Sequence, residues 1–175
     1  MLGFLVACSS TTARSGSLVS YLERFWISLC AIFLRLDRIP KAVSSQERIS
    51  RFIFHKGYMD EANDYVSPEA FMPSKKTGES SVYRTARCSE KRVWLLGDIF
   101  VARPQKDRRP ICGRADVTAK AILQQALRII SQPSPHPRHA VVTSWPNDKP
   151  QQKVKAIALA QRATLRVYPR RERPT

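Results

Sequence analysis

The sequence predicts a small α+β domain: a mostly antiparallel sheet of about five strands with two or three helices packed on it. Two observations carry this. Short apolar runs rich in β-branched and aromatic residues recur between Gly, Pro and Ser clusters, and stretches with helix-cap signals stand between some of them. The run from His139 to Trp145 is the most strandlike, because Val141, Val142, Thr143 and Trp145 suit a pleated, half-covered surface. It stops at Pro146, which cannot donate to a ladder. The rest of the chain is read around it.

Ile49 to Phe54 is the first strand, after a polar break at residues 44–47. Ser67 as cap and Pro68 at the first helical position open a short turn that ends with Ala70 to Pro73. Ser81 to Ala86 alternates, with Val82 and Arg84 on one face and Tyr83 and Thr85 on the other. Ser89 caps a helix that turns Val93, Trp94 and Leu96 inward and stops at Gly97. Residues 103–110 form a basic loop between prolines. The strand Ile111 to Val117 projects Arg114 and Asp116 to the same side, where they either lock each other or hold a ligand. Thr118 caps a helix from Ala119 to about Gln125, and Leu127 to Ile130 is another strand. The proline-rich turn 131–137 is expected to stand away from the sheet. A last helix begins at Pro150 and runs to about Ala163, with Val154, Ile157 and Ala158 on one face, and Thr164 to Val167 is the closing strand.

Three parts follow from composition: an apolar N-terminal extension at 1–47, a single α+β domain at 48–167 and a basic disordered tail at 168–175. As a helix, Leu18 to Leu36 would span roughly 28 Å, close to a bilayer core. Glu23 and Arg24 interrupt it, however, and leave only Phe25 to Leu34 unbroken. That length suits an interfacial or buried helix better than a span. Membrane contact through 18–36 is therefore not favoured, and a start site called too far upstream is the competing account. Leu5-Val6-Ala7-Cys8 has the look of a lipoprotein box but lacks a basic start and a long apolar core.

The 175 residues carry 30 Lys and Arg against 14 Asp and Glu, a net charge of +16. Residues 1–47 hold five basic and three acidic side chains, so the excess belongs to the domain. Such a field favours anionic partners. Cys8, Cys30, Cys88 and Cys112 are scattered, without metal-ligand spacing or the density of a disulfide scaffold, and read as reduced cytosolic thiols. No cofactor and no metal is expected. The location expected is cytoplasmic, with membrane association through the N-terminal helix as the alternative.

The strings RFIF, AFMP, SVYR, GRAD, and RHA followed by WP and Lys, resemble a small uncharacterised bacterial family over about residues 49–167. The resemblance implies a domain boundary and no chemistry.

The sequence has no G-x-S-x-G elbow, no Gly-rich phosphate loop and no paired carboxylates at catalytic spacing. Asp98, Asp116 and Asp148 would have to converge for a metal-dependent nuclease. His55 reads as a solvated turn residue and His136 as exposed between prolines, which leaves His139 as the one weak catalytic candidate against a structural, hydrogen-bonded role. Arg84, Arg114, Arg138, His139, Trp145 and Lys149 are expected to form an anion-binding cluster, with arginine forks and a stacking ring. The leading expectation is a non-catalytic module for an anionic partner, nucleic acid first. The alternatives are a small-ligand or nucleotide-binding enzyme with an Arg/His/Lys site, and a protein-interaction adaptor.

Overall fold

A computed structural model of the protein describes residues 25, 28, 29, 32, 33, 36–105, 107 and 109–169. The elements are β1 (Arg48–Ile53), β2 (Met59–Asp60), β3 (Tyr65–Val66), β4 (Ser80–Arg84), α1 (Glu90–Gly97), β5 (Gly113–Thr118), α2 (Ala119–Leu123), β6 (Arg128–Ser131), β7 (His139–Thr143), α3 (Lys149–Ala160) and β8 (Thr164–Val167). The architecture is α+β, and its sheet has six strands where about five were expected. Their order is β6-β7-β4-β1-β5-β8, with every neighbouring pair antiparallel, and β2 and β3 form a separate ribbon.

Strand alternation divides the core into two layers. Ile49, Ile53, Val82, Ala115, Val117 and Val142 face α2 and α3, where Ile122, Leu159 and Ala160 cover them. Phe52 and Tyr83 face the other way and meet Val93, Trp94 and Leu96 of α1. At the helix starts, Ser89, Thr118 and Asp148 each accept a backbone N–H from the first turn, so the local signals and the packing agree.

Several expectations need correction. Gly97 does not stop α1: its φ of −59° is helical, and the chain continues into a π turn at Asp98–Ala102. Glycine is needed there for space, because a Cβ would lie 2.6 Å from the Phe52 ring. β7 ends at Thr143, two residues before Trp145, since Ser144 takes a left-handed φ of 63°. Helix α3 buries Ala156, Leu159 and Ala160 and leaves Val154 exposed, because the small alanines allow close approach. The turn 131–137 folds back, and His136 is fully buried against Phe100 with ring centroids 4.6 Å apart.

The residues before β1 are in contact with the sheet domain. Residues 37–47 run against the domain, with Val43 packed on the core and the Asp37, Pro40, Ala42 and Glu47 acceptors turned to its arginines. At the other end, the Tyr168 ring meets Trp94 edge-on, with centroids 5.1 Å apart. Residues 170–175 lie outside the described part, as does most of the stretch 18–36. Among the described residues no helix is long and apolar enough to cross a membrane.

Candidate functional site

Where β4 leaves the sheet, the strap 37–47 and the turn after Arg84 enclose a cleft of about 570 Å³ lined by Arg38, Arg84, Arg87 and Arg138. Arg84 is only 1 % exposed, and its charge is matched locally. Its Nε and Nη2 donate to Glu47 at 2.7 and 2.8 Å, and Nη1 and Nη2 donate to the Pro40 and Ala42 carbonyls. Such a fork uses the planar guanidinium as a lysine could not be used.

Arg138 is similarly held. Its Nε donates to Asp37 at 2.5 Å and its Nη1 to the Arg84 and Ala86 carbonyls, while Asp37 also accepts from Arg92. Arg38 and Arg87, by contrast, make no ion pair among the described residues. Arg87 sits at φ 59°, a conformation that costs a residue with a Cβ of order 1 kcal/mol or more. The cleft therefore combines two arginines fixed by carboxylates with two whose charge is unmatched.

Arg114 lies on the opposite face of the sheet, under α1. Its Nε and Nη2 grip Asp116 at 3.0 Å each, Nη2 also donates to Glu90 at 2.8 Å, and the guanidinium lies 4.5 Å from the Trp94 ring centroid. Burial alone would lower its pKa, but the bonds to Glu90 and Asp116 outweigh that and raise it. Asp116 also accepts from the Ser50 hydroxyl at 2.5 Å, which leaves Thr85 to donate in its 2.6 Å contact with Ser50 and Arg48 Nε to donate to Thr85. The arrangement spans β1, β5 and the end of β4. Of the two readings offered for Arg114 and Asp116, they lock each other.

His139 faces that same side of the sheet from β7. Its Nδ1 lies 3.0 Å from the Gln132 carbonyl, which only accepts, so Nδ1 carries the proton and Nε2 accepts from Ser81 Oγ at 2.8 Å. A hydroxyl donating to a neutral imidazole is the start of a nucleophilic pair, yet neither residue lines any of the cavities described here. Burial holds the His139 pKa below its ordinary 6.5. The unfolded chain therefore takes up this proton first. The stabilising effect of neutral His139 is present above about pH 6.5 and is lost as pH falls through that value toward the folded pKa. Urea midpoints between about pH 7.5 and about pH 5.5 should fall less steeply for His139→Gln than for the parent protein.

The remaining two expected residues stand apart from the arginines. Trp145 donates its indole N–H to the Val142 carbonyl and packs on the core, and Lys149 is exposed at the first turn of α3. Of the six, only Arg84 and Arg138 share a cleft. Arg38, Arg87 and the carboxylates Asp37 and Glu47 were not anticipated there. The one available signal was that buried arginines need acids, and residues 1–47 supply them. Asp98, Asp116 and Asp148 do not converge, and no cluster of His, Cys, Asp and Glu among the described residues is arranged to hold a metal. Compared with known proteins, the chain matches no family model, no curated protein and no solved structure.

Proposed function

We propose that the protein is a non-catalytic module that binds an anionic partner, nucleic acid first, with a backbone phosphate seated in the arginine cleft. The observation that carries this is the pairing pattern. Arg84 and Arg138 are fixed in place by Glu47 and Asp37, while Arg38 and Arg87 line the same cleft without a counter-charge. A phosphate entering there meets Arg38 and Arg87, whose charges are not committed elsewhere among the described residues, beside two guanidinium groups already held by the protein. The net charge of +16 draws polyanions to the surface in general, so the cleft has to be separated from that background.

Binding of a labelled duplex over several salt concentrations does so. Each neutralised phosphate contributes about −0.9 to the slope of log affinity against log salt. The double substitution of Arg38 and Arg87 by Ala should flatten that slope by about two units and weaken all sequences alike. Lys149→Ala, which lies outside the cleft, should leave it within about 0.3 of the parent value. Absence of binding near physiological salt, or a slope indifferent to Arg38 and Arg87, would remove the nucleic-acid reading. The concavity of the cleft supports a second reading: its volume of about 570 Å³ falls in the range of small-molecule sites, so a compact phosphorylated ligand fits it as well. Competition of inorganic phosphate with the duplex at millimolar levels would favour that reading.

A further inference from the structure

The β8 edge of the sheet carries a different site. Along β8, a groove of about 850 Å³ runs beside α1, with Trp94 and Tyr168 in its wall and Lys91 at its rim. A smaller cavity of about 220 Å³ adjoins it, lined by Arg48, Arg162 and Arg166 together with Thr118 and Thr164. Arg166 lines both.

The charges differ between the two halves. Arg166 stands directly across the ladder from Arg114, a like-charge pair that repels. Arg114 is already matched by Asp116 and Glu90, whereas Arg166 makes no ion pair among the described residues. Arg48 gives its Nε and Nη2 to Thr85 and Cys88, and Arg162 Nη1 donates to the amide oxygen of Gln124. The small cavity thus has three guanidinium groups and one carboxylate, Asp116, that is held by Arg114 and Ser50. In the groove, Tyr168 is fixed by its hydroxyl bond to Asp98 at 2.7 Å, and its ring meets Trp94 edge-on. Trp94 is itself buried under Arg114, so it is the half-buried ring of Tyr168, held in this way, that offers a wall for another flat ring.

We infer that β8 bears a binding site for a nucleoside monophosphate, with the phosphate in the Arg48, Arg162 and Arg166 cavity and the base in the groove against Tyr168, behind which Trp94 lies. The carboxylates of Glu90 and Asp98 on the groove wall accept from exocyclic amino groups, and the threonine hydroxyls of the small cavity donate to phosphate oxygens. The site is on the opposite side of the sheet from the arginine cleft and does not depend on it.

The test is titration of the full chain with adenosine monophosphate, read by tryptophan fluorescence and by calorimetry, with adenosine and inorganic phosphate alone as comparisons. The nucleotide should bind more tightly than either fragment. Arg166→Ala and Arg162→Ala should each weaken it by about tenfold, the loss of one charge-assisted contact. Both residues are exposed, so circular dichroism should show an unchanged fold. Trp94→Phe should remove most of the fluorescence response while calorimetric binding remains. The Arg38 and Arg87 double variant should bind the nucleotide normally, which separates this site from the cleft. No binding up to about 10 mM nucleotide overturns the inference. Binding that ignores both β8 arginines, or that is lost in the cleft variant instead, overturns it equally.

Discussion

Asp116→Ala will destabilise the fold by about 3–5 kcal/mol, the loss found when one partner of a buried ion pair is removed. Arg114 is fully buried and cannot turn to solvent without displacing α1, so deleting the carboxylate that takes two of its donors leaves a charge with Glu90 alone. That remaining partner is 55 % exposed on its side chain, and its bond is screened by water. The same deletion takes away the acceptor of the Ser50 hydroxyl and leaves it the contact with Thr85. Urea unfolding at neutral pH measures this as a drop in midpoint at constant slope. Glu90→Gln should cost less than about 1 kcal/mol by the same measurement, because its carboxylate is half in water. A loss below about 1 kcal/mol for both variants would mean that Arg114 is held by its stacking on Trp94 and not by Asp116. Since a domain of this kind is stable by only about 5–15 kcal/mol, Asp116→Ala places it near the limit of folding.

What could be read in advance follows the range over which each cause acts. Arg114 and Asp116 are two residues apart, and strand alternation alone puts them on one side, so their pairing was among the readings available from the sequence. Their further partners were hidden: Ser50 comes from β1, Thr85 from the end of β4 and Glu90 from α1, and only the register of β1 against β5 brings Ser50 opposite Asp116. Helix starts were legible because a cap and its acceptor lie within one turn. The inward face of α3 was not, since alanines at 156 and 160 are chosen by how closely the helix approaches its neighbours. His136 looked exposed because prolines flank it, yet its burial depends on Phe100, a residue 36 positions earlier in the chain. The six expected anion-binding residues were grouped by sign of charge. Charge does not reveal face, and β1 separates Arg84 from Arg114 in the sheet while alternation turns them to opposite sides.

The strap 37–47 lies within the stretch read from composition as an N-terminal extension, and its removal carries the second large expected effect. A chain beginning at residue 48 should fail to show a cooperative transition, whereas a chain beginning at residue 37 should unfold like the full protein. The longer start keeps Glu47, Asp37 and the Pro40 and Ala42 carbonyls, and so keeps every acceptor given to Arg84 and Arg138 side chains by the strap. The shorter start removes all of them at once and leaves Arg84, 1 % exposed beneath the strap, with no acidic partner. Glu47→Ala in the full chain isolates the central term, and its expected cost is again about 3–5 kcal/mol because the partner is a buried guanidinium. Arg84→Met, which takes away the charge together with its need for an acid, should recover much of that loss when combined with Glu47→Ala, as replacing a whole buried pair by apolar groups often does. Removal of the strap exposes the Arg84 site to water, however, so a compact 48-start chain with a midpoint near that of the parent is the informative contrary result. It would mean that solvent replaces the strap at little cost and that the domain does begin at β1.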